Sequence, residues 1–173
     1  PGESNPIVTD LEKVGPLELA SMGFGQGIAI TPMQLITAVS SIGNDGVMMK
    51  PHFVRKLTDK DGKTVVEFKP TKVRKVLSTK TCEEMLTIME QQVDKYGGKT
   101  AKMPGYRIGG KTGTASKAVN GSYSQSKTDT SFICMAPIDN PKIVVLIVCN
   151  SPNQSYADIT AIPIANDFLT KAL

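Results

Sequence analysis

The sequence predicts an α+β domain, with helices packed on an antiparallel β-sheet. Three observations carry this expectation. Strand-length segments at residues 107–115, 130–137 and 142–150 follow one another, the last two joined by Asp139-Asn140-Pro141, a turn short enough for an antiparallel hairpin. Upstream, two helix starts combine a capping residue with apolar side chains at helical spacing. No repeat, low-complexity tract or shift of composition divides the chain, so residues 1–173 read as one domain unit.

The elements follow in order. The first 15 residues hold Gly2, Pro6 and Gly15 and show little periodicity, so they read as an irregular arm. A short helix is expected after Pro16, through Leu17 and Leu19, ending in the glycines Gly23, Gly25 and Gly27. Thr31 then caps a helix with Pro32 at its first position and Gln34 placed for a capping box. Leu35, Val39 and Ile42 line one face of it until Asn44-Asp45-Gly46. Strands at 53–58 and 64–68 flank Lys60-Asp61-Gly62, a hairpin turn. Ser78 caps another helix, whose stripe of Cys82, Met85, Leu86, Met89 and Val93 reads as core rather than as a methionine-rich binding face. A last helix is expected from about residue 157, bearing Ile164, Phe168 and Leu169.

Composition narrows the function. A hydrophobic share of 40% and a charged share of 21% fit a globular domain and argue against disorder. The longest apolar run, residues 143–149, falls well short of the ~18 residues of a membrane span and reads as a buried strand. The start, Pro1-Gly2, has no basic-then-apolar pattern, so any signal or anchor is expected upstream. Residues 50–80 hold ten basic side chains against Asp59, Asp61 and Glu67. They read as a solvated hairpin, with an anionic contact as the sharper alternative; Phe53 and Phe68 are its only aromatics, too few for a nucleic-acid surface. The three cysteines match no zinc spacing. With the turn centred on Asp139-Asn140, Cys134 faces Val145 and Cys149 faces Thr130, too far apart for a disulfide. His52 is the only histidine and stands beside Pro51 at a strand start, which removes most support for histidine-based nucleophilic, acid–base or zinc chemistry. Gly23 to Gly27 resemble a phosphate loop only loosely, with no Lys-Ser/Thr after them.

What remains is Lys111-Thr112-Gly113-Thr114, preceded by Gly109-Gly110 and followed by Ala115. A bare Lys-Ser/Thr-Gly triplet arises by chance in about one chain in ten of this length. Its physical setting says more. A strand with a lysine and hydroxyls on an exposed edge can hold an extended peptide by strand addition, and those groups donate to a terminal carboxylate. Gly113 lets backbone and ligand approach closely.

Lys-Thr-Gly is also the third motif of penicillin-binding proteins and serine β-lactamases, after Ser-x-x-Lys and Ser-x-Asn. The likeness extends to Ala20-Ser21-Met22-Gly23-Phe24-Gly25-Gln26-Gly27, Thr31-Pro32-Met33-Gln34-Leu35, Met49-Lys50-Pro51-His52, Pro104-Gly105-Tyr106, Ser131-Phe132-Ile133 and Ala136-Pro137. Collinear from end to end, the chain resembles the C-terminal part of the transpeptidase domain of class B penicillin-binding proteins, closest to the division and sporulation type. The resemblance implies a partial penicillin-binding transpeptidase fold and a D,D-transpeptidase of peptidoglycan, in which a serine attacks the D-Ala-D-Ala bond of a stem peptide and β-lactams acylate that serine. It implies no metal or organic cofactor, and a location on the extracytoplasmic face of a bacterial membrane, the parent anchored by an upstream segment. In that scheme Lys111 places positive charge at the site, Thr112 and Thr114 bond the substrate carboxylate, and the Thr114 N–H is half of the oxyanion hole.

The family places Ser-x-x-Lys and Ser-x-Asn ahead of the equivalent of Pro1, so the missing N-terminal part of the same domain is an expected partner and this chain alone is expected to be inactive. Ser124-Gln125-Ser126-Lys127 and Ser151-Pro152-Asn153 match those patterns but follow Lys-Thr-Gly, the wrong order. Ser124 is expected in a polar loop rather than at a helix start, where serine and lysine would share a face. A self-contained hydrolase using Ser124 and Lys127 and a non-catalytic peptide- or glycan-binding module stay as alternatives. Two stretches depart from the family pattern: Cys134-Met135 beside Ala136-Pro137, and Tyr156-Ala157-Asp158 in the loop before the last helix. Neither is expected to touch the motif strand.

Overall fold

A computed structural model describes residues 3–119 and 122–173, without the side chains of 118–126. The N-terminal arm is tied down where Ile7 and Ala29 exchange backbone hydrogen bonds of 2.8 and 2.9 Å. Helix α1 (Pro16–Gly23) begins at a proline, and the Glu18 carboxylate accepts from the Gly15 N–H at 3.1 Å. It ends in a turn where Gly25 and Gly27 take φ of 85° and 76°, a region side chains disfavour. Helix α2 (Pro32–Ile42) has the capping box read from the sequence: the Gln34 N–H donates to Thr31 Oγ1 at 3.1 Å, and the Thr31 N–H donates to Gln34 Oε1 at 3.0 Å.

A short strand β1 (Val47–Met49) follows, then the hairpin of β2 (Lys56–Thr58) and β3 (Thr64–Glu67), and β4 (Lys72–Lys75), which pairs back onto β1. The expected hairpin is present but shorter: Phe53 lies outside it and is 91% exposed. The β1–β4 pair was not foreseen, because three- and four-residue strands are too short to show a period. Its closure depends on Gly46, at φ 78°, where a Cβ would collide with the Leu77 carbonyl.

Helix α3 (Thr79–Lys95) is capped by Ser78, whose Oγ accepts from the Thr81 N–H at 3.0 Å. Cys82, Met89 and Val93 of its stripe are buried, so the stripe is core. The main sheet follows: β5 (Gly109–Val119), β6 (Ser122–Ala136) and β7 (Ile143–Asn150), antiparallel, with β6 in the middle. Helix α4 (Ala161–Ala172) closes the chain.

Strand alternation divides this sheet into two faces. Phe132, Cys134, Ala136 and Val145 meet Val93 of α3 and Ala161, Ile162, Ala165 and Leu169 of α4. On the opposite face Met135 and Val144 meet Val39 and Ile42 of α2. Arg107 braces the entry to β5: its Nε and Nη2 donate to the Glu90 carboxylate at 2.7 and 2.8 Å, and Asp139 lies 3.5 Å away. The register pairs Cys134 with Val145 and Thr130 with Cys149, as the turn at Asp139-Asn140 required, and the cysteines are free thiols.

Three expectations need correction. Helix α4 starts at Ala161, not near 157, and Ile164 and Phe168 are about half exposed; the buried stripe is Ala161, Ile162, Ala165 and Leu169. Small alanines let the helix settle on the sheet, so its apolar face does not coincide with its largest side chains. The β5–β6 hairpin also runs further than expected, so Ser124 lies in strand β6 rather than in a loop. Its polar sequence hid a ribbon that stands beyond the core and needs no apolar alternation.

Two measurements follow from this packing. Phe132 is fully buried at the centre of the larger cluster, so Phe132→Ala lowers unfolding free energy by about 3–5 kcal/mol in denaturant titration. Burial pushes the Cys134 thiol up to about 12 from an ordinary 9.0. Below the lower value both folded and unfolded chains hold this proton; above it only the unfolded chain releases it, which favours unfolding. The stability of wild type relative to Cys134→Ala therefore falls by about 1.4 kcal/mol per pH unit as pH rises from about 9 towards 12, read by denaturant titration across alkaline pH.

Candidate functional site

Strand β5 pairs with β6 alone, so its other side is an open edge among the described residues. Peptide groups alternate sides along an extended strand. The Ile138 N–H donates to the Arg107 carbonyl at 2.9 Å, which turns the odd-numbered carbonyls here towards β6. On the other side, Lys111 Nζ donates to the Thr112 carbonyl at 2.7 Å. Both observations place the N–H and C=O groups of Thr112 and Thr114 at the open edge.

Side chains alternate in the perpendicular sense. Lys111 and Gly113 face the α1–α2 side, and Thr112 and Thr114 the side of α3 and the loop after β7. On the lysine side lies a cleft of about 780 Å³, walled by Met22, Phe24, Ile30 and Leu35 opposite the whole motif edge, Lys111, Thr112, Gly113 and Thr114. On the hydroxyl side lies a groove of about 250 Å³, lined by Gly97, Thr112, Thr114, Tyr156, Ala157 and Asp158. All four motif residues thus border one cleft along this edge, and Thr112 and Thr114 also line a groove on the other face.

The glycines of the motif are explained by what stands behind them. A Cβ on Gly110 would lie 2.7 Å from the Phe132 ring, and one on Gly109 would collide with Ile138. A Cβ on Gly113 would lie 2.5 Å from Ser131 Oγ on the neighbouring strand. Gly113 therefore admits Ser131 as well as any ligand, a role the triplet alone did not disclose.

Further residues share the cleft face. Asp129 of β6 sits opposite Ala115 and Asn150 and lines the cleft. Its Oδ1 accepts from the Ser151 N–H at 2.9 Å and lies 3.3 Å from Lys117 Nζ, which donates to Asn150 Oδ1 at 2.7 Å. The three strands are thus tied together just past the motif, where the β5–β6 register shifts between Ser116 and Ala118. The β5–β6–β7 register would have shown this from the sequence; no motif does.

The remaining candidates separate cleanly. The side chain of Ser124 lies outside the described residues, and Lys127 is exposed; residues 124–127 run in a strand, which lacks the shared helical face that Ser-x-x-Lys requires. Ser151, at φ 48°, holds Asp129 through its backbone N–H. His52 is exposed. Two stretches expected away from the motif strand need correction: Tyr156 and Asp158 line the same groove as Thr112 and Thr114, and Cys134 and Met135 pair with Gly110 and Gly109 at the head of that strand, because β6 is its ladder partner. The loop after β7 reaches the two threonines because Ala157, 4% exposed, is drawn into the core. Among the described residues no group of three or more metal-binding side chains is assembled.

Residues 1–170 match a protein family described as the penicillin binding protein transpeptidase domain. Stage V sporulation protein D of Bacillus subtilis is 35% identical, over 99% of this chain and 27% of its own length. A peptidoglycan D,D-transpeptidase FtsI homolog of Mesostigma viride is 34% identical, over 88% of this chain and 28% of its length. The chain therefore spans less than a third of these relatives. Among solved structures, penicillin binding protein 3 of Mycobacterium tuberculosis in complex with aztreonam superposes with a TM-score of 0.86 at 26% identity, covering 99% of this chain and 42% of that one. The transpeptidase domain of Burkholderia pseudomallei penicillin-binding protein 3 gives 0.77 at 28% identity, covering 100% and 52%.

The Gly113–Ser131 contact can be tested directly. Gly113→Ala costs about 1–3 kcal/mol in denaturant titration, and most of the loss returns in Gly113→Ala/Ser131→Ala, which removes the opposing hydroxyl.

Proposed function

The chain belongs to the penicillin-binding protein transpeptidase family, and we propose that it supplies the substrate-gripping part of a serine D,D-transpeptidase that cross-links peptidoglycan. The observation that carries this reading is the open edge of β5, where lysine, two hydroxyls and two outward peptide groups stand within four residues. A stem peptide ending in D-Ala-D-Ala lies along that edge as an added strand. The hydroxyls of Thr112 and Thr114 donate to its terminal carboxylate. The outward N–H of Thr114 donates to the scissile carbonyl oxygen, which becomes an oxyanion when a serine attacks. The Lys111 ammonium adds positive charge on the cleft side.

Neither Ser-x-x-Lys nor Ser-x-Asn precedes Lys-Thr-Gly in this chain, so the nucleophile comes from a segment ahead of it. The cleft on the Lys111 face, apolar on its far wall, is the seat for that segment. β-Lactams, whose carboxylate and strained amide mimic the dipeptide end, acylate the same serine. The parent works on the outer face of a bacterial membrane, where its substrate is. Sporulation is the setting named for one relative, and a sporulation or a division role suits this edge equally.

Fluorescent penicillin tests the reading. The isolated chain forms no covalent adduct on a denaturing gel. The full-length polypeptide containing it forms one, and Lys111→Ala in that polypeptide slows adduct formation about 100-fold. An adduct on the isolated chain that disappears in Ser124→Ala would sink the proposal in favour of a self-contained hydrolase. No adduct on the full-length polypeptide would leave a binding module without catalysis.

A further inference from the structure

The arm made by β1, the β2–β3 hairpin and β4 concentrates the positive charge of the chain. Residues 50–80 hold ten basic side chains against Asp59, Asp61 and Glu67, a surplus of seven, whereas the whole chain has a net charge of +4. Among the described residues no basic side chain from Lys50 to Lys75 forms an ion pair. Every residue of β2, β3 and β4 is exposed. Leu57, Val66 and Phe68 share one face of the hairpin and nothing covers them. A two-stranded ribbon without a core behind it is marginal in water. Lysines along an edge deter unwanted pairing, which accounts for the charge but not for an uncovered apolar face. Nor does the arm serve the substrate edge. Pro32 and Leu35, at the start of α2, wall the cleft, whereas β1 follows the other end of α2, where a Cβ on Gly43 would meet Met135 and Pro141. The eleven residues of α2, about 16 Å, separate the two.

We propose that the β2–β3 hairpin docks an acidic segment of another protein, which adds to β2 as a third strand. The Phe68 N–H donates to the Arg55 carbonyl at 2.8 Å, so residues 55 and 68 form a closed rung and the peptide groups of Lys56, one residue on, point out of the hairpin. The outer side of β2 is unpaired among the described residues. The β3 edge suits an acidic strand less well. Val65 is an extra residue there, where the register shifts between Leu57 and Thr58, and Glu67 adds a negative charge. Outward N–H and C=O groups call for a polypeptide partner, since a lipid surface supplies no matching groups in register. Charge then selects the partner. A second copy of the arm brings the same surplus of cations and is repelled. In a strand of acidic residues alternating with apolar ones, the apolar side chains extend the face of Leu57, Val66 and Phe68, and the acids fall on the opposite face beside Lys56.

The test measures fluorescence anisotropy of labelled peptides with the full-length polypeptide. One peptide alternates Glu and Val, a second alternates Lys and Val, and a third is the first with alternate backbone nitrogens methylated. The Glu-Val peptide binds, added salt weakens it, and the other two bind at least about tenfold more weakly. Lys56→Glu weakens the Glu-Val peptide about fivefold and strengthens the Lys-Val peptide. The variant forms the penicillin adduct at the wild-type rate, which shows that it is folded and that the arm stands apart from the reaction. Equal binding of the methylated peptide overturns strand addition. Binding of phosphatidylglycerol vesicles without binding of the Glu-Val peptide makes the arm a lipid contact, and no binding of either leaves it covered by its own polypeptide or by solvent; both results overturn the proposal. A slower adduct in Lys56→Glu overturns the separation from the substrate edge. Each of these outcomes leaves the transpeptidase reading standing, which the absence of any adduct on the wild type alone would sink.

Discussion

Strand β5 must lie flush against the rest of the domain while its outer side stays unpaired, and the other features of the site depend on that constraint. Edge strands invite unwanted pairing, and proteins usually blunt them with bulges, prolines or charges. Here the edge stays regular from Gly109 to Ser116 before the register shifts. What holds it in place is contact from behind. Gly109 admits Ile138 and the α3 backbone, Gly110 admits the Phe132 ring, and Gly113 admits Ser131. Without side chains at these three positions the strand sinks onto its neighbours, and only Lys111, Thr112 and Thr114 project. The glycines thus set the height of the edge, and the projecting residues set its chemistry.

That division also explains which parts of the structure were legible in the sequence. The N-terminal caps and apolar stripes of α2 and α3 are local signals, written within one or two helical turns, and both helices form where the signals stand. The β6–β7 register was legible because one turn, Asp139-Asn140-Pro141, fixes every pair behind it. The motif strand was legible because its residue types are unusual together. The β1–β4 pair was not, since it joins two very short segments across a whole hairpin. Nor was the true face of α4, where burial follows alanines rather than Phe168. Tyr156 and Asp158 were missed for a related reason. Their place beside Thr112 and Thr114 depends on the Thr130–Thr160 hydrogen bond and the burial of Ala157, both long-range in sequence.

The surroundings of the edge differ in how firmly they are built. Asp129, Lys117, Asn150 and the Ser151 N–H bind the three strands at the end of the motif, where the ladder between β5 and β6 breaks. Lys117 and Asp129 keep 27% and 35% of their side-chain surface, so solvent screens their attraction. Their arrangement still matters, because each links two strands and together they span all three. At the other end, Arg107 joins β5 to α3 and to the β6–β7 turn through Glu90 and Asp139. The motif lies between these two polar ties and is itself held only by backbone pairing and glycine contacts. A binding edge benefits from that arrangement: it is fixed at both ends, and only the hydrogen bond from Lys111 Nζ to the outward Thr112 carbonyl has to give way at its middle when a ligand strand arrives.

Period-two alternation has a last consequence for the proposed chemistry. Neighbouring side chains of an extended strand leave from opposite sides, so Lys111 and the hydroxyls of Thr112 and Thr114 reach the shared cleft only along the open edge of the strand. The ligand has to lie in the plane of the sheet, along the edge, with its carboxylate reached from the hydroxyl face and its scissile bond open to the lysine face. A nucleophile then has one direction of approach, from the cleft between β5 and the α1–α2 turn, where Met22, Phe24, Ile30 and Leu35 offer an apolar wall for a packed element. The groove with Tyr156 and Asp158 lies on the opposite side, away from that approach and next to the carboxylate end. The α1–α2 turn and the loop after β7 thereby border opposite faces of the same edge, separated by the thickness of one strand.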